Sequence, residues 1–184
     1  FPILHITQEE RRFDWDACKG LCAMGLPMGL QYSITAIGSI VMQTAVNALG
    51  SVYVSAVATG GKVYQLLACP FDAMGAAMAT YCGQNVGAGR LDRLRQGVRS
   101  CSLLGLGYSA AAFVGMFFFA PQSVMLFLSS SEPQLETLVG LTSQYIVAQA
   151  AFFFPLALVN ILRFSIQGMG FGAFAILAGV LEMI

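Results

Sequence analysis

The chain has 184 residues, of which 57 % are hydrophobic and only 10 % charged, with nine basic residues balanced by nine acidic ones. A soluble domain carries about 25 % charged residues, and a net charge of zero excludes a general polyanion binder. Five scattered cysteines and a single histidine, His5, offer no metal-ligand pattern, so the cysteines read as small packing residues and neither a metal nor a cofactor is expected.

Residues 1–20 read as a polar, charged lead-in with Trp15 as an interfacial anchor, and they contain no signal peptide. Residues 20–61, 100–131, 137–162 and 164–181 then carry no charged side chain, and a helix that crosses a bilayer needs about 20 apolar residues. The expected fold is therefore all-α, a polytopic membrane helix bundle over 21–184. Its spans are expected at about 21–48, 52–85, 98–120, 135–166 and 171–184, the last too short to cross, which marks the chain as a piece of a longer protein. Gly50 turns the first span into the second, Pro70 interrupts the second, and Gly87 to Gly89 lead into a short basic helix at 90–99. Pro121 and the Ser129 to Pro133 segment mark the next connection, and Gly168, Gly170 and Gly172 precede the last segment.

Basic residues alternate between connections. Arg11, Arg12 and Lys19 lie in the lead-in, Arg90, Arg93, Arg95 and Arg99 follow the second span, and Arg163 ends the fourth. The turns at 49–51 and 129–136 contain no Lys or Arg, so the N-terminus, the 86–99 loop and the 167–171 turn are expected in the cytosol. Four Arg without interleaved aromatics make a poor nucleic-acid patch, and attraction to anionic headgroups accounts for them.

Polar side chains inside spans need partners, because an unpaired polar group in hydrocarbon costs several kcal/mol. Gln31, Gln43 and Asn47 lie in the first span, the last two four residues apart. Along the fourth, Gln149, Asn160 and Gln167 fall near whole helical turns with Arg163 beside Asn160, so they are expected to form one stripe facing a cavity. Taken singly, such amides do no more than tie helices together. Lys62 and Asp72 lie about 15 Å apart along the second helix, too far to pair. Each snorkels, pairs with a neighbouring helix, or serves an ion site beside the Pro70 kink. Glu182 is the other carboxylate within a span, and Asp72 and Glu182 are the ion-coupling candidates.

Several segments together resemble one lobe of a multidrug and toxic compound extrusion (MATE) transporter. They are Gly25-Leu-Pro27-Met-Gly-Leu-Gln31, Asn47-Ala-Leu-Gly50, Gly83-Gln84-Asn85-Val-Gly87-Ala-Gly89 before a basic helix, Arg163-Phe-Ser-Ile-Gln167-Gly168-Met-Gly170 and Gly179-Val-Leu-Glu182. The resemblance covers nearly the whole chain in order, with Pro27, Gly50, Pro70, Gly83, Gln84, Asn85, Gly87, Gly89, Gln167 and Gly168 as structural motif positions. It implies about five of the six helices of the C-terminal lobe, in a plasma-membrane antiporter whose N-terminal lobe lies outside this chain. It further implies export of amphipathic or cationic compounds by alternating access, driven by Na⁺ or H⁺, with lipid as the surrounding partner. Some branches carry acids in the seventh or tenth helix; here those helices offer Gln31, Gln43, Asn47, Gln149, Asn160 and Arg163 as cavity candidates but no acid, so coupling runs through Asp72 or Glu182 or resides in the first lobe outside this chain.

A lipid or oligosaccharide flippase of the same wider superfamily is the alternative, and it calls for a more strongly charged cavity. A membrane-embedded enzyme lacks support, since the chain has no His cluster, no Asp-rich diphosphate motif and no nucleophile beside a base. A purely structural subunit leaves the intramembrane charges without a role.

Overall fold

A computed structural model of the chain describes residues 13–128 and 134–171, and these form helices without strands. They are α1 (Trp15–Ala48), α2 (Ser51–Gly87), α3 (Leu91–Met125), α4 (Leu135–Ala151) and α5 (Phe153–Gly168). Asp14 starts α1 by accepting from the backbone N–H groups of Asp16 and Ala17 at 2.9 and 3.2 Å. α2 is central and packs against α3, α4 and α5, with α3 antiparallel to it and α4 and α5 running alongside it.

Small residues let these helices approach. Gly75, Ala79 and Gly83 recur every fourth residue along α2 and meet α5. A Cβ placed on Gly75 would sit 2.6 Å from the Phe164 ring, one on Gly83 3.0 Å from the Gly168 carbonyl, and one on Gly168 would overlap the backbone of Ala79. Small-residue contacts of this kind are what drive helix association in lipid, where apolar side chains gain little from leaving the solvent. Cys82 is fully buried beside Met78 and Ile161, a small apolar filler at the same interface.

The fourth span expected as one helix over 135–166 is two helices, bent by 47° at Phe152. Pro155 explains the break: it has no N–H to offer the carbonyl of Ala151, and its ring crowds that carbonyl. The chain responds with a tight bond from Phe152 N–H to the Gln149 carbonyl at 3.0 Å and restarts with Leu156 N–H on the Phe152 carbonyl at 3.1 Å. Pro70, expected to interrupt α2, lies inside an unbroken helix, and Pro121 lies within the final turns of α3 rather than in a connection. The basic segment at 90–99 is the first part of α3 rather than a separate helix. The 129–133 connection and everything from 172 on, Glu182 included, lie outside the described residues.

Neighbouring α3 hydroxyls bond to both proline-weakened places. Tyr108 Oη donates to the Leu67 carbonyl at 3.0 Å, three residues before Pro70. Ser109 Oγ is fully buried, 2.8 Å from the Gly105 carbonyl of its own helix and 3.1 Å from the Phe153 carbonyl, two residues before Pro155. Between them the Phe71 ring stands edge-on to Tyr108 at 5.1 Å and tilted to Phe153 at 5.3 Å, so both prolines share one aromatic layer.

α2 and α5 end in the same way. Gly89 and Gly170 take left-handed φ angles of 69° and 92°. Each is flanked by the paired bonds of a Schellman turn, Arg90 N–H to Asn85 and Gly89 N–H to Val86 in one, Phe171 N–H to Ile166 and Gly170 N–H to Gln167 in the other. Asn85 also donates its side-chain amide to the Tyr81 carbonyl at 2.8 Å, while Gln84 and Gly87 occupy the last exposed turn. The Gly83 to Gly89 motif is thus a helix stop.

Among the described residues α3 alone is long and apolar enough to cross a bilayer, and α4 with α5 meets the same condition as a bent pair. At 34 and 37 residues, α1 and α2 have the length to span, about 50 Å at 1.5 Å per residue, but Gly, Ser, Thr and amides dilute their apolar character. Leu21, Leu26, Ile37 and Ile40 of α1 and Leu103, Leu104, Phe117 and Phe118 of α3 are largely exposed, a surface suited to lipid or to further helices rather than to water.

Gly168→Ala should destabilise the purified protein by about 1–3 kcal/mol, because the backbone of Ala79 has no rotamer with which to step aside. Gly61→Ala, with nothing within 4 Å of the new Cβ, should be neutral or slightly stabilising in the same thermal unfolding measurement.

Candidate functional site

Five polar side chains from three helices converge beyond the aromatic layer. Asp72 follows Pro70 on α2, Asn160, Arg163 and Gln167 follow one another along α5, and Gln31 comes across from α1. Asn160 lies at the centre: its amide nitrogen donates to Asp72 Oδ1 at 3.3 Å, and its oxygen accepts from Arg163 Nη2 at 2.6 Å.

Arg163 extends the chain to α1. Its Nη1 and Nε lie 2.7 and 3.3 Å from one end of the Gln31 amide, and because a guanidinium only donates, that end is the oxygen. The Gln31 nitrogen then faces the Gln167 amide at 3.2 Å. Gln31 is 4 % exposed and is the buried residue among the described side chains of α1. Phe164 steadies the guanidinium, whose carbon lies 5.4 Å from its ring centroid, and that ring rests on Gly75 of α2.

The sequence-derived candidates therefore divide. Gln31, Asp72, Asn160, Arg163 and Gln167 meet. Gln149 does not join them, because the bend at Phe152 separates it from the α5 amides that helical spacing alone had placed in line with it. It donates instead to Tyr145 Oη at 2.8 Å and lines an open apolar cavity of about 390 Å³ with Tyr64, Phe152, Phe153, Pro155 and Leu156. Phe153 of this cavity packs against Phe71 at 5.3 Å, and Phe71 immediately precedes Asp72 on α2, so the cavity and the polar chain adjoin. Gln43 and Asn47 satisfy one another at 2.9 Å on the exposed surface of α1, well away from the cluster. Lys62 is exposed on α2 and makes no ion pair with a carboxylate among the described residues. Pro27 and Gly50 sit within α1 and at its connection to α2, where Gly50 has φ 103°. Among the described residues no group of His, Cys, Asp or Glu could hold a metal.

Pro155 and the adjacent hydroxyls of Tyr108 and Ser109 did not stand out in the sequence. The proline was a legible signal for the break. The hydroxyls were not, since their partners lie 41 and 44 residues away.

Comparison with known proteins agrees with this architecture. The MatE family model matches residues 27–183. A probable multidrug resistance protein of Bacillus subtilis (strain 168), YpnP, is 27 % identical over 146 residues, covering 79 % of this chain and 32 % of the relative. A second from the same organism, YoeA, is 25 % identical over 112 residues, or 61 % of this chain and 24 % of the relative. The chain thus spans about a third or less of the length of these relatives. No solved structure matches it.

If Gln31 and Arg163 pair as described, a double-mutant cycle of Gln31→Ala and Arg163→Ala, read by thermal unfolding, should give a coupling of about 1 kcal/mol or more. Strictly additive losses would show that α1 is not tied to α5 through this contact.

Proposed function

The chain belongs to the MatE family, and on that premise we propose that it forms part of one lobe of a cation-coupled exporter of amphipathic or cationic compounds. In this reading Asp72 senses the driving Na⁺ or H⁺. Members of the family are multi-pass membrane transporters rather than enzymes. The observation that carries the proposal is the chain of contacts from Asp72 through Asn160 and Arg163 to Gln31, which links three helices around one carboxylate. The adjoining cavity of Tyr64, Phe152 and Phe153 supplies aromatic faces suited to a flat or cationic substrate.

Asn160 gives the coupling a chemical route. An ionised Asp72 favours the donor end of the Asn160 amide, which leaves the acceptor end for Arg163. A proton or Na⁺ on Asp72 removes the demand for that donor, freeing the amide to turn and the guanidinium to change its grip on Gln31. Because that grip ties α1 to α5, occupancy of one carboxylate biases how α1 sits against α5, and the rocking of one lobe against the other follows. In this reading the N-terminus and the basic start of α3 face the cytosol, which the alternation of basic segments supports, and the transporter lies in the plasma membrane, as the family resemblance implies.

In the full-length transporter, Asp72→Asn should lower Na⁺- or H⁺-dependent efflux about tenfold or more while leaving membrane insertion unchanged. Lys62→Gln, at an exposed site without an ion pair among the described residues, should leave coupling intact. Full ion-coupled efflux by Asp72→Asn would sink the assignment.

A further inference from the structure

A second polar feature lies where α2 stops and α3 begins. Arg90, Arg93, Arg95 and Arg99 are all exposed there, and none is within ion-pairing distance of a carboxylate among the described residues. One of the four, Arg93, lines a groove of about 450 Å³ with Tyr81, Gln96, Gly97 and Ser100. Positions 93, 96, 97 and 100 follow the three- and four-residue steps that align side chains on one helical face, whereas Arg95 and Arg99 lie off the groove.

The groove has a defined shape. Tyr81 Oη donates to the Arg93 carbonyl at 3.1 Å, which fixes the ring as one wall. Gly97 makes that possible, since a Cβ there would overlap the Tyr81 ring. What remains on offer is rich in donors: a guanidinium fork, an amide nitrogen and a hydroxyl, the set that suits a phosphate.

Depth and continuity identify the source of the phosphate. Ser100 opens the uncharged run 100–131, so the groove lies within about 10 Å of the hydrocarbon edge, at headgroup level. The same helical face continues four residues on to Leu104, which is 68 % exposed. A donor-rich groove that runs directly into an exposed apolar track matches a headgroup followed by an acyl chain; a soluble anion would have no use for the track.

We propose that the groove of Tyr81, Arg93, Gln96, Gly97 and Ser100 binds the phosphate of an anionic phospholipid, with an acyl chain along Leu104. This is a site rather than diffuse attraction, and it does not depend on the transport reading. The test uses the full-length protein in detergent, titrated with phosphatidylglycerol, phosphatidylcholine or inorganic phosphate and followed by lipid retention in native mass spectrometry and by thermal stabilisation. Phosphatidylglycerol should bind in preference to phosphatidylcholine, and inorganic phosphate should not stabilise. Arg93→Ala should weaken phosphatidylglycerol binding about tenfold or more, as expected for loss of a charge-assisted bond. Arg93→Lys, which keeps the charge without the fork, should fall between that variant and the parent. Arg95→Ala removes the same charge off the groove and should lose less than about threefold. Equal losses for Arg93→Ala and Arg95→Ala would overturn the site in favour of diffuse charge. Equal binding of phosphatidylcholine, or equal stabilisation by inorganic phosphate, would overturn the assignment to an anionic lipid.

Discussion

A guanidinium inside a bundle of apolar helices has to be solvated by protein, and the way Arg163 is solvated organises this fold. Its nitrogens take an oxygen from Asn160 on its own helix and another from Gln31 on α1, while Asn160 turns its nitrogen to Asp72 on α2. Buried apolar clusters join α2 to α3, α4 and α5, but α1 presents mostly exposed apolar side chains and contributes Gln31 to the interior. The polar chain therefore links α1 to α5, whereas small-residue packing joins α2 to α5. A helix held by hydrogen bonds to one charged group responds to changes at that group; a helix held by close packing does not.

The two prolines stand at the level where this polar region begins. Asp72 lies two residues beyond Pro70, and Asn160 five beyond Pro155. Each proline removes a backbone donor, from the carbonyl of Leu66 in one case and of Ala151 in the other. Tyr108 and Ser109, adjacent on α3, reach the carbonyls of Leu67 and Phe153 beside those gaps. α3 thus braces both weak points from one side, and the aromatic layer of Phe71, Tyr108 and Phe153 closes the space between them. Beyond that layer the close contacts of Gly75, Gly83 and Gly168 keep α2 and α5 together as one unit.

Much of the site was legible in the residues. An Arg and an Asp inside apolar runs, with amides at helical spacing, have few physical options besides one another, so Asp72, Asn160, Arg163 and Gln31 stood out singly. Their assembly was not legible, because it depends on which faces of α1, α2 and α5 meet, and sequence spacing constrains one helix at a time. Gln149 illustrates the error this produces: the stripe assumed an unbroken helix, and Pro155 broke it. The glycines were readable as turns at Gly89 and Gly170, where φ is positive, but not as packing surfaces at Gly75 and Gly168, where the reason is a side chain or a backbone on another helix.

The most direct test of the account is the distance between α1 and α5 as a function of the driving ion. Spin labels at Ile37 and Leu162, both exposed, on a background without the native thiols of the full-length transporter, would report it by pulsed dipolar spectroscopy. The account predicts a distance distribution that shifts when Na⁺ or H⁺ is supplied and that stays fixed, whatever the ion, in Asp72→Asn. An ion-dependent shift that persists unchanged in Asp72→Asn would contradict it.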